Sequence, residues 1–147
     1  MRQPPRTPIR YRDTMNARVC TVIRSGDAYQ GRQGLTYLTG LTGATAGSQA
    51  ICMTLAVLPS GARAKTHLHQ GVETAVYVIA GEAAMYCGEQ LEDLLIAREG
   101  EYMYIPAGAP HLVVNRSGAE CRAVVAHSAV DDQAGIVLLP ELDALRP

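Results

Sequence analysis

The stretch GARAKTHLHQGVETAVYVIAG, residues 61–81, decides how this chain folds, together with GEYMYIPAGAPHLVVN, residues 100–115. His67 and His69 stand two apart. In an extended backbone successive side chains alternate faces, so both imidazoles point the same way and form a chelate. Glu73 follows after a short turn at Gly71, and His111 arrives from a separate strand just past the Pro106-Ala-Gly108-Ala-Pro110 corner. His67, His69, Glu73 and His111 together offer three neutral nitrogens and one carboxylate oxygen. That mixed set suits a first-row divalent cation rather than calcium or a thiolate-bound structural zinc. A lone histidine on an apolar strand is more often a core residue than a ligand. Here, however, three of the chain's four histidines fall in these two segments, beside the Gly and Pro residues that turns require.

Working outward, the remaining sequence reads as short strands separated by turn residues. Expected strands are Arg18–Arg24, Leu35–Leu38 and Gln49–Leu58, and the last of these places Ile51, Met53, Leu55 and Val57 on one face and Cys52, Thr54 and Ala56 on the other. Between them, Thr39 to Ser48 carries glycines at a spacing that matches no phosphate-binding loop, so a mobile loop near a barrel end is expected. Thr74–Ala80 continues from the first motif, and Ala83–Cys87 and Leu94–Arg98 read as a hairpin. Tyr102–Ile105, His111–Asn115, Glu120–Ser128 and Ile136–Leu139 complete the set. About ten strands with almost no helix argue for an all-β, antiparallel double-sheet jelly roll. The domain reading is an Arg/Pro-rich arm over 1–16, one barrel over 17–140 and a tail over 141–147.

The two quoted segments resemble the paired motifs of the cupin superfamily, G-x5-H-x-H-x3-4-E-x6-G and G-x5-P-x-G-x2-H-x3-N. The second matches at each specified position: Gly100, Pro106, Gly108, His111 and Asn115. In the first, three residues separate His69 from Glu73 and seven separate Glu73 from Gly81, which is read as a glutamate placed one residue early rather than as a missing ligand. The chain most resembles small single-domain, RmlC-like cupins. That resemblance implies the same jelly roll and a homodimer.

Four protein ligands on a six-coordinate ion leave two adjacent positions open, which separates a catalytic site from a structural one. With iron the arrangement suits a dioxygenase, whereas zinc, manganese or nickel would polarise a carbonyl for isomerase or lyase chemistry. The expected cofactor is therefore one divalent transition metal, Fe, Mn, Zn or Ni. Arg63 and Lys65 share the parity of His67 and would hold a substrate carboxylate or phosphate at the mouth; the alternative is a solvated strand entrance. Tyr77, at the parity of Glu73, either enters the pocket or packs as a ring. His127 is either an acid or base at the pocket rim or structural. Because metal binding needs deprotonated imidazoles, affinity is expected to fall as pH drops through about 6.5.

Composition excludes several other classes. With 147 residues, 48% hydrophobic and 18% charged, the chain is one globular domain large enough for its own core. A net charge of −1 gives no general attraction to nucleic acid or an anionic membrane. Cys20, Cys52, Cys87 and Cys121 are more than thirty residues apart, form no metal-binding pair, and no secretory signal precedes them. They are expected to be free thiols in the cytoplasm. The apolar run Ala50 to Leu58 is too short to span a bilayer. A non-catalytic sensor or binding protein would use the same pocket, but no segment is left over for a DNA-binding helix pair.

Overall fold

The computed structural model describes residues 19–146. In chain order it contains β1 (Ala28–Gln30), β2 (Thr36–Leu41), α1 (Gly43–Ala46), β3 (Cys52–Leu58), β4 (His67–His69), β5 (Thr74–Ala80) and β6 (Glu82–Cys87). There follow β7 (Asp93–Arg98), β8 (Tyr102–Ile105), β9 (His111–Val114), β10 (Cys121–His127), β11 (Ile136–Leu138) and α2 (Pro140–Asp143). Two sheets form, one ordered β1-β2-β3-β10-β5-β8 and the other β11-β4-β9-β6-β7. Every pairing is antiparallel, and many neighbours are distant in sequence, which is the jelly-roll arrangement.

The core lies between the sheets and is aliphatic, as a chain without Phe or Trp requires. Val78, Met85, Leu91 and Leu112 are fully enclosed, with Leu58 and Ile105 beside them. On β3 the inward set is Cys52, Thr54, Ala56 and Leu58, while Met53 on the alternate face is exposed. The smaller side chains face inward because the space between the sheets holds a cavity, which Ala56 and Leu58 line.

Two expectations change at the N-terminal end. No strand forms over 19–24; Val19 and Val22 are exposed, and without a partner strand their alternation has nothing to bury against. The glycine-rich stretch is ordered rather than a plain loop. Strand β2 runs on through Gly40 to Leu41, where a Cβ at residue 40 would stand 2.3 Å from the Met53 carbonyl oxygen. Then α1 makes one turn, closed by a reciprocal capping box between Thr42 and Thr45 and ended by Gly47 at φ 69°. The arm expected over 1–16 lies outside the described residues.

The C-terminal segment folds onto the barrel. Asp143 Oδ1 accepts from the Thr66 backbone N–H at 2.8 Å and from its hydroxyl at 2.7 Å. Arg146 Nε donates to the Leu91 carbonyl at 2.9 Å. The Asp143 bonds fix Thr66, which leads into β4, the strand that carries two of the candidate ligands. No described helix is long and apolar enough to cross a membrane. The four cysteines are free, with Cys52 and Cys121 buried.

Candidate metal centre

Strand pairing assembles the histidine cluster. On β4, His67 and His69 point into the barrel with Leu68 between them, as the alternation rule requires. Strand β9 pairs with β4 so that His111 is directly opposite His67. The ring centroids of His67 and His111 are 4.2 Å apart, and those of His67 and His69 are 5.1 Å apart. One ligand nitrogen from each of His67, His69 and His111 lies within 4.8 Å of the other two. Nitrogens at 2.0–2.1 Å from one ion are about 3.0–3.4 Å apart in tetrahedral or cis-octahedral positions, so closure on a metal draws the three rings inward.

Backbone carbonyls set the tautomers. His67 Nδ1 lies 2.7 Å from the Lys65 oxygen and His111 Nδ1 2.9 Å from the Ala109 oxygen, with His69 Nδ1 at 3.4 Å from the Ala134 oxygen. A carbonyl only accepts, so in each case the proton sits on Nδ1 and the Nε2 lone pair is left free. This carbonyl–imidazole pairing is the orienting device of metal-bound histidines. Burial pushes His67 down to about 3, with His111 adding to the effect, and pushes His111 down to about 4. Burial lowers His69 too. The cluster is therefore neutral at pH 7, with three unprotonated nitrogens converging where few other groups can donate to them. A divalent cation fits that donor set. The same burial moves the pH window: in the folded protein protons compete for His67 and His111 near 3 to 4, not near 6.5.

Glu73 does not join them. It is exposed, and its Oε1 accepts from the Tyr104 hydroxyl at 2.6 Å on the outside of the barrel. The reason is register: moving one residue along a strand moves the side chain to the other face. Residue 74, which leaves six residues before Gly81 as the motif spacing requires, is the one that turns inward, and it is a threonine. Tyr77 shares the outward parity of Glu73; its ring lies 4.8 Å from that of Tyr102 on the exposed face, so it does not enter the pocket. Arg63 and Lys65 are also exposed and absent from the cavity wall. Arg63 donates to the carbonyls of Arg146 and Asp143, the latter at 3.1 Å, and so holds the C-terminal segment.

His127 is placed deeper than a rim residue. It ends β10 in the opposite sheet, is 5% exposed, and its ring centroid is 4.9 Å from that of His69. Its Nδ1 lies 2.9 Å from Thr74 Oγ1. Burial, with His69 next in effect, pushes it down to about 4. The clue in sequence was the shared parity of His127 with Cys121 and Ala123, the small inward residues of β10. Around the histidines the cavity, about 50 Å³, is lined by aliphatic groups such as Leu35, Leu58, Val76, Met85, Met103 and Ile105. Among the described residues, Gln33, Tyr37 and Thr74 are its other polar ones, and no Lys, Arg, Asp or Glu lines it.

A family model described as the Cupin domain matches residues 54–127, half of the chain. The chain belongs to the cupin family. Solved structures agree on the fold. The polyketide cyclase RemF from Streptomyces resistomycificus is 20% identical, with a TM-score of 0.64 over 85% of this chain and 89% of that one. An oxalate oxidase is 23% identical, with a TM-score of 0.64 over 80% of this cupin and 60% of its own chain. A sugar phosphate isomerase of the cupin superfamily from Silicibacter pomeroyi is 24% identical, with a TM-score of 0.55 over 72% and 69%. No curated protein matches the sequence. These three neighbours carry different chemistries on one barrel, so the site of this cupin has to be read from its own residues.

Proposed function

We propose that this cupin is a metal-dependent enzyme acting on an uncharged, largely apolar small molecule that presents a carbonyl or acidic hydroxyl oxygen to the ion. The observation that carries the reading is the cavity wall: histidine nitrogens at one place, mostly aliphatic side chains elsewhere, and no charged side chain among the described residues that line it. A sugar phosphate or a carboxylate would meet the ion but no described Arg or Lys, and any charge not held on the metal would bear the desolvation cost of burial.

A bound divalent metal would supply Lewis acidity, polarising a carbonyl towards enolisation, elimination or ring closure. His67, His69 and His111 would hold it. The aliphatic wall of Leu35, Val76, Met85 and Met103 would desolvate the substrate and strengthen each electrostatic contact made inside. Gln33 Nε2 donates to the Tyr37 hydroxyl at 2.7 Å, which fixes a polar pair on the wall for orienting a substrate oxygen.

Ligand binding to cobalt-loaded protein tests this. A β-diketone such as acetylacetone should shift the cobalt absorption bands and raise the melting temperature, whereas glucose 6-phosphate should do neither. Equal binding of the diketone to metal-free protein, or preferential binding of the sugar phosphate, would refute it.

A further inference from the structure

Three imidazoles leave the coordination set one donor short of the expected four, and the glutamate expected to complete it faces solvent. Among the described residues the cavity holds one further imidazole. His127 reaches it from the sheet opposite His67, His69 and His111, and its ring is close to His69. Its Nδ1 is engaged by Thr74 Oγ1 at 2.9 Å in a buried contact, so Nε2 is the nitrogen left for the cavity. Thr74 is held in turn by pairing, since β5 and β10 place residues 74 and 127 directly opposite each other. The buried carboxylate of Asp132 accepts on Oδ2 from the Tyr29 hydroxyl at 2.6 Å and the Gln133 amide at 2.8 Å, and it does not line the cavity.

We propose that His127 supplies the fourth ligand of the metal centre in place of Glu73, with Thr74 as its positioning residue. The proposal rests on the three-histidine reading above and deepens it. His127 stands outside the tightest group of three, so it closes onto an ion from the far sheet, and a bound metal ties the two sheets together. Four imidazoles carry no charge, whereas three imidazoles and a carboxylate would cancel one unit of the ion's charge. An all-histidine centre in an apolar cavity retains its full double charge and favours an anionic oxygen in its open position. That selects hydroxide, a phenolate or an enolate, and hence substrates with an acidic hydroxyl or an enolisable carbonyl.

Zinc affinity, measured by competition with a chromophoric chelator, and the absorption spectrum of the cobalt form test the assignment. Thr74→Val, which removes the orienting bond and keeps the shape, should weaken zinc binding about 10-fold, the size of an outer-shell effect. His127→Ala should weaken it further and alter the cobalt bands, with added imidazole restoring them. Glu73→Gln should match the wild type in both. Wild-type affinity and an unchanged cobalt spectrum in His127→Ala, or loss of metal in Glu73→Gln, would overturn the proposal. Should His127→Ala not fold by circular dichroism, unaltered zinc affinity in Thr74→Val overturns it instead. Failure of the wild-type protein to bind metal, or unchanged binding in His67→Ala, would overturn the three-histidine reading itself.

Discussion

Acidification should unfold the metal-free protein over a pH range set by its buried histidines. His67 is held near 3, and His111 and His127 near 4, chiefly by burial, against an ordinary value of 6.5. The folded state keeps these rings neutral while the unfolded chain binds protons on them. Stability is therefore full above about pH 6.5, falls as pH drops below it, and levels off only near the folded values of 3 to 4. At pH 5 each ring is about 1.5 pH units below the unfolded value, a loss of about 2 kcal/mol per histidine at 1.36 kcal/mol per unit. The three rings together remove roughly 6 kcal/mol, comparable with the whole stability of a typical domain. Urea unfolding with chelator present, followed by circular dichroism from pH 7.5 to 5.0, measures this directly. The midpoint should fall steeply below pH 6.5, and His127→Gln should recover about 2 kcal/mol of the loss at pH 5. An unchanged midpoint between pH 7.5 and 5.0 would refute the claim that these imidazoles are buried and neutral.

Two further predictions concern the scaffold. Gly61 and Gly81 both have φ 79°, but a Cβ at residue 61 meets nothing, whereas one at residue 81 stands 2.5 Å from the Glu120 carbonyl oxygen. Gly61→Ala should cost about 1–2 kcal/mol from backbone strain alone, and Gly81→Ala clearly more; equal denaturant midpoints for the two would contradict the packing. Asn115 is 1% exposed, and its amide donates to the Leu58 and Ala119 carbonyls while Oδ1 accepts from the Ser117 backbone and hydroxyl. Asn115→Ala should cost about 3 kcal/mol or more by stranding those groups. A loss under about 1 kcal/mol would show that water replaces them.

The fold and the triad were legible because both rest on spacing. Two histidines at alternate positions can share only one face of a strand, and the Pro106–Pro110 corner delivers His111 to the neighbouring strand. Glu73 was misplaced because its chemical identity outweighed its parity. Leaving six residues before Gly81 reaches Thr74, and the side-chain period of two then sends Glu73 outward. The parity of Tyr77 with Glu73 decides between its two readings, and it packs as a ring against Tyr102 on the exposed face. For β10 the sequence marks which residues share a face but not which face is inward; pairing with β3 and β5 decides that, and with it the burial of His127. Arg18–Arg24 had a strand's alternation but no partner, which local pattern cannot supply.

The most direct test is the metal content of untagged protein, reconstituted with zinc, desalted and measured by elemental analysis beside His69→Ala and His111→Ala. A metal centre built as described predicts close to one ion per wild-type chain and almost none in either variant, with both variants still folded at pH 7.5. Wild-type protein without metal, or variants that keep it, would contradict the account.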